Sequence, residues 1–167
     1  MASNRHLGRI VALQTLYELD FRIEVGEVDV DVSDIIERNI SRYSEIVDDK
    51  DFVEELIRGV LESEDELDAF LQPLAPDWPI DQIARIDRTV LRISVWEMKH
   101  SSDSVPVKVI INEGVELAKS FGADNSSKFV NGVLGTAAKK LGLVEETKAA
   151  HKPKAAKSSK TQSKKTS

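Results

Sequence analysis

Apolar residues recur along this chain at helical intervals. Ala12, Leu16, Leu19 and Ile23 are spaced by four, three and four, which marks one face of a 3.6-residue period and predicts a first helix over about Arg5–Phe21. Similar patterns predict helices over Val32–Tyr43 and Asp51–Leu61. A fourth starts at Ser63, where "SEDE" has the form of a capping box with Ser63 facing Glu66. The stretch "LQPLAPDWP" then sets Pro73, Pro76 and Pro79 three residues apart. No continuous helix carries a proline at every turn, so an internal boundary is predicted near residues 72–80.

Beyond that boundary "IARIDRTVLRISVWEMKH" reads as an amphipathic helix, and "SSDSVP" ends it while putting Pro106 at the first position of the next. In that next helix Val107, Ile111, Gly114, Ala118 and Phe121 make a stripe that must face a partner helix. "GADNSS" breaks and caps, and Val130, Leu134, Ala137 and Leu141 form the stripe of a final helix with Gly142 as its C-cap. No segment alternates over strand length, so the predicted class is all-α.

Composition narrows the function classes. The chain has 167 residues, 41% apolar and 31% charged, the make-up of one globular domain plus a tail. No stretch reaches the roughly 18 uncharged apolar residues of a membrane span, so neither secretion nor membrane insertion is expected and the cytoplasm is the predicted compartment. With no cysteine, thiolate metal sites and a cysteine nucleophile are excluded, and His6, His100 and His151 stand too far apart in sequence to suggest a metal cluster.

The net charge of −6 hides an asymmetry: residues 1–146 carry 16 Lys and Arg against 29 Asp and Glu, or −13, while residues 147–167 carry seven lysines and no acid. The expected organisation is therefore a folded body over 1–143 and a disordered, lysine-rich tail over 144–167.

Three groups of residues invite a chemical reading. Helical glycine costs roughly 1 kcal/mol relative to alanine, so Gly114, Gly132 and Gly135 imply either close helix contact or close approach of a ligand. Phe129 lies beside the last apolar stripe, next to Lys128 and the polar run 124–127. An aromatic face, a cation and the amides of a helix start suit an unpaired base and its phosphate, although the position also suits a core residue. Arg5 and Arg9 stand one turn apart at a helix N-terminus, where both mutual repulsion and the macrodipole oppose them. They are either solvated or relieved by an anionic partner. No Gly-rich phosphate loop and no His-x-x-x-His pair is present, and no enzymatic activity is expected.

The segment "VPVKVIINEGVELAKSFGADNSSKFVNGVLG" at 105–135 closely resembles the signature of the NusB family of bacterial transcription antitermination factors. "ALQTLYELD" at 12–20 and "RTVLRISVWEM" at 88–98 are similar to that family's first and fifth helices. The resemblance implies about seven helices in two small packed bundles, a monomer or homodimer, and no cofactor. It implies binding of single-stranded boxA RNA from ribosomal RNA leaders together with a ribosomal protein, NusE, within an antitermination complex that keeps RNA polymerase transcribing. Carried onto this sequence, it implies RNA contacts at Arg5, Arg9, Lys128 and Phe129, with Tyr17 and Asn125 beside them, and a partner contact at Asp87. The start "NRHLGRIVALQ" is poorer in arginine than the family's usual start. Two other readings stay open: the RNA-binding module of a ribosomal RNA methyltransferase type without its catalytic domain, and a helical scaffold that only dimerises.

Overall fold

The computed structural model describes residues 4–144. Seven α-helices follow in order: α1 Asn4–Glu24, α2 Val32–Arg42, α3 Lys50–Glu62, α4 Glu64–Leu71, α5 Arg85–His100, α6 Val107–Phe121 and α7 Ser126–Lys140. Two 3-10 turns, Gln72–Leu74 and Ile80–Gln82, occupy the proline-rich boundary. The described residues contain no strand, as the periodicity predicts, and α1 runs on past Phe21 to Glu24. The predicted tail, apart from Val144, lies outside the described residues.

Helices α1, α2 and α3 form one bundle, and α5, α6 and α7 form the other, with α4 against α5. The two are fused through α5, which packs on α1 and α3 as well as on α6 and α7. Every residue from Asp87 to Met98 is buried, so α5 is surrounded rather than amphipathic. Its polar residues tolerate this because neighbouring helices supply the counter-charges: Arg88 donates to Asp20 of α1 at 2.9 Å, Arg92 to Asp68 of α4 at 2.7 Å, and Glu97 accepts from Arg9 of α1. A buried ion left without such a partner would cost several kcal/mol, on the order of 3–5.

The helix ends follow their residues with one exception. Gly142 takes φ +70°, and the N–H groups of Gly142 and Leu143 reach back to the carbonyls of Lys139 and Ala138 at 3.0 and 2.9 Å. This is the Schellman closure expected of a C-cap glycine. The capping box predicted at Ser63 does not form. Ser63 also closes α3, its N–H bonding the Gly59 and Val60 carbonyls, and its side chain caps nothing. Glu66 turns instead to Lys99, 2.6 Å away. The start of α4 still carries Glu64, Asp65 and Glu66, whose charges suit the positive end of the helix. Pro106 stands one place earlier than predicted, at the N-cap of α6.

Two stripes are rotated from their predicted centres. In α6 the buried face is Ile110, Gly114, Leu117 and Ala118, while Phe121 is exposed. In α1 the stripe ends at Leu19, and Ile23 points to solvent. Close contact explains only one of the three helical glycines. A Cβ at Gly114 would fall 2.6 Å from Ser94 Oγ and 2.9 Å from Leu134 Cδ1, whereas at Gly132 and Gly135 it would meet nothing within 4 Å.

Candidate nucleic-acid interface

The start of α7 is set by a tight turn. Gly122 closes α6, and a side chain there would collide with Ser126 Oγ at 2.5 Å. That proximity buries Ser126, whose Oγ accepts from the Ala123 N–H at 2.9 Å. The first turn of α7 therefore sits hard against the end of α6. Asn125 at the N-cap is exposed and makes no side-chain cap bond, so it stays available for another partner.

Lys128 is exposed and Phe129 half-buried. Phe129 packs on the core along one side and along the other forms a wall shared by two clefts, of about 210 and 320 Å³. Trp78 lines both, and it is 57% exposed. The larger cleft adds Lys128 and the bare backbone of Gly132. The smaller one adds Ile83, Gln82 and Asp87. Asp87 is 8% exposed, and its Oδ1 is buried without any hydrogen-bond partner. Buried acceptors of this kind are rare in folded proteins, and this one lies where a donor could enter from outside. A residue expected to meet RNA and a residue expected to meet a protein thus border the same cleft.

Trp78 was not singled out by the sequence reading. Its signal was present nonetheless, since a tryptophan flanked by Pro76 and Pro79 in a helix-free segment has little chance of full burial.

Tyr17 occupies a separate groove with Leu13, Tyr43, Ile86, Phe121 and Arg42. The Arg85 guanidinium lies 5.4 Å from the Tyr17 ring centroid. The two sites flank the first turn of α5, with Ile86 facing the groove and Asp87 the cleft.

The two arginines of α1 part company. Arg5 is exposed, 4.7 Å over the Phe52 ring and 4.0 Å from Asp49. Arg9 is 2% exposed. Its Nε and Nη2 both donate to Glu97, and its Nη1 lies 3.8 Å from Glu113. This corrects the expectation that Arg9 belongs to an RNA surface. The charge conflict at the start of α1 is relieved from inside the fold, and no anionic ligand is needed for it. His6 joins the same cluster through Glu113 at 2.6 Å.

Among the described residues no group of three His, Asp or Glu side chains is placed to hold a metal ion, and no helix is long and apolar enough to cross a membrane.

The model of the NusB family matches residues 6–139, a span that includes both the cleft and the buried arginine. The chain belongs to the NusB family. It is 42% identical over 137 residues to the transcription antitermination protein NusB of Chloroflexus aggregans, covering 81% of this chain and 87% of that one. It is 41% identical over 130 residues to that of Bacillus subtilis, covering 78% and 91%. The solved structure of T. maritima NusB superposes with a TM-score of 0.68 at 29% identity, covering 84% of this chain and 94% of that one. A structure described as the antitermination factors NusB and NusE in complex with double-stranded RNA gives 0.70 at 22% identity, covering 84% and 99%, and shows a shared fold. The family and the all-helical architecture expected from residues 105–135 are thereby established for this chain.

Proposed function

We propose that this chain is a non-catalytic antitermination factor that binds boxA-like single-stranded RNA of ribosomal RNA leaders jointly with a NusE-type ribosomal protein, so keeping RNA polymerase processive in the cytoplasm. The observation that carries this reading is the cleft at the start of α7, where Lys128, Phe129 and Trp78 border one opening and the unpartnered Asp87 Oδ1 borders the adjoining one. Aromatic faces accept the face of any unpaired base, and a lysine beside them accepts its phosphate. A carboxylate repels phosphate and calls for an N–H or cationic donor, as a basic protein partner would supply. Arg5, Tyr17 and Asn125 are assigned as secondary RNA contacts, and Arg9, buried against Glu97, is left out. The names of the relatives and the NusB–NusE pairing of a protein with the same fold support the assignment.

An unpaired strand is favoured over a duplex because a stacked base cannot offer its face to Phe129. The charge of −13 over residues 1–146 repels RNA outside a local cationic patch, which favours a joint surface with a second, basic protein.

The test is a binding titration of boxA-like, scrambled and duplex RNA with and without the NusE-type partner. The boxA strand should bind most tightly, and the partner should strengthen that binding more than it strengthens binding of the scrambled strand. Equal affinity for all three RNAs in both conditions would sink the reading.

A further inference from the structure

The segment that carries Trp78 has little backbone bonding of its own. Pro73, Pro76 and Pro79 have no N–H to give, and the backbone bonds that remain only close local turns. The N–H groups of Ala75, Trp78, Gln82 and Ile83 each reach back three residues, to the carbonyls of Gln72, Ala75, Pro79 and Ile80, at 2.9–3.3 Å. These turns engage neither the Trp78 carbonyl nor the Ile80 N–H.

Both of those groups meet a single side chain. The Gln72 carboxamide donates from Nε2 to the Trp78 carbonyl at 2.8 Å, and its Oε1 accepts from the Ile80 N–H, also at 2.8 Å. One planar amide thus bridges the two sides of Pro79, as a neighbouring strand would. We propose that Gln72 is a positioning residue of the interface, which fixes the loop bearing Trp78 and so presets the indole as the cleft wall it shares with Phe129. The inference rests on the reading of this cleft as a recognition surface.

The surroundings favour positioning over a purely structural role. Gln72 is itself anchored, because its N–H closes α4 on the Asp68 carbonyl. The far end of the loop is held without it: Arg88 Nη1 donates to the Ile80 and Asp81 carbonyls at 3.4 and 3.2 Å, and its Nη2 ties that end to Asp20 of α1. Trp78 is exposed and Ile80 only half-buried, so water can replace the amide at both backbone groups and little stability depends on it. What the amide contributes is order in the loop before a ligand arrives, which lowers the ordering cost of binding.

Gln72→Met keeps the length and helix propensity of the side chain and removes its donor and its acceptor. It is compared with the parent, with Trp78→Ala and with the double variant. The two tryptophans are labelled as 5-fluorotryptophan, and the fluorine resonance lost in Trp78→Ala identifies Trp78. Binding of the boxA-like strand is titrated with and without the NusE-type partner, and melting temperature is recorded. Gln72→Met should melt like the parent, shift or broaden the Trp78 resonance and leave that of the buried Trp96 unchanged. It should weaken binding about fivefold, the equilibrium weight of one net intramolecular hydrogen bond, in the same arm of the titration as Trp78→Ala. In the Trp78→Ala background it should weaken binding no further, since a positioning residue acts only through the group it positions.

An unmoved Trp78 resonance, or unchanged binding where Trp78→Ala weakens it, would overturn the proposal and leave the cleft reading standing. So would a loss that persists in the Trp78→Ala background, or a large fall in melting temperature with the Trp96 resonance disturbed. Unaltered binding of Trp78→Ala in both arms would remove Trp78 from the interface, and the role of Gln72 with it.

Discussion

Arg9 holds Glu97 through two parallel hydrogen bonds, Nε to Oε2 at 2.9 Å and Nη2 to Oε1 at 2.8 Å, in a site where both side chains are almost wholly excluded from solvent. The pair joins the start of α1 to the end of α5, and hence one bundle to the other. Removing one partner strands the other as a buried charge, which costs about 3–5 kcal/mol. Arg9→Ala and Glu97→Ala should each lower the urea unfolding free energy by that order. Arg9→Met combined with Glu97→Leu should recover most of the loss, because neither ion then remains. A single substitution that leaves stability unchanged would mean that the pair is solvated in solution.

The glycines of the last two helices separate in the same physical way. At Gly114 an added methyl meets Ser94 and Leu134, so Gly114→Ala should destabilise by about 1–3 kcal/mol through overpacking. At Gly132 it meets nothing, and Gly132→Ala should stabilise by about 1 kcal/mol from helix propensity alone. Opposite shifts in thermal midpoint are the expected result; shifts of the same sign would contradict the packing described.

These cases show what the sequence could disclose. The class, the helix order and the Gly142 cap were legible because period, proline spacing and turn chemistry are local. Family membership was legible in the 105–135 segment. The fate of charged residues was not. Arg5 and Arg9 look alike in sequence, and what distinguishes them is that Glu97, 88 positions away, folds against only one. Arg88 and Arg92 likewise lie in a segment whose pattern reads as an amphipathic helix, and only the packing of α1 and α4 around α5, which brings up Asp20 and Asp68, buries them. The capping box failed for a local reason that pattern matching misses, since two helices abut at Ser63 and its backbone is committed to closing α3.

Acid sensitivity should be traceable to Glu18. Burial pushes its carboxyl upward, yet hydrogen bonds from Asn39, Arg38 and Arg22 outweigh this and hold it at about 2. A carboxylate whose folded value lies below its unfolded value stabilises fully above the latter, about 4.3, and loses that contribution as pH falls toward 2. Urea midpoints of the parent should therefore drop more steeply between about pH 4.3 and 2 than those of Glu18→Gln, and the two should converge at the acid end. Parallel profiles would show that Glu18 is not held by its three partners.

The cleft can be divided between folding and recognition by changing its two aromatic walls in different ways. Phe129 is half-buried and packs on the core, so Phe129→Ala confounds a lost stacking face with a lost core contact. Phe129→Leu keeps most of the apolar volume and removes only the aromatic face. It should leave the melting temperature nearly unchanged and weaken binding of the boxA-like strand by about 1–3 kcal/mol, the worth of one stacked base. Trp78 is mostly solvated and its truncation removes little buried surface, so Trp78→Ala should also spare stability. If Trp78 stacks on RNA, its effect appears without the partner protein. If instead it forms the partner's side of the cleft with Asp87, the loss appears only when the NusE-type protein is present, and Asp87→Asn reproduces it. Unaltered binding in both variants, with and without the partner, would remove the cleft from the interface and return Phe129 to the core.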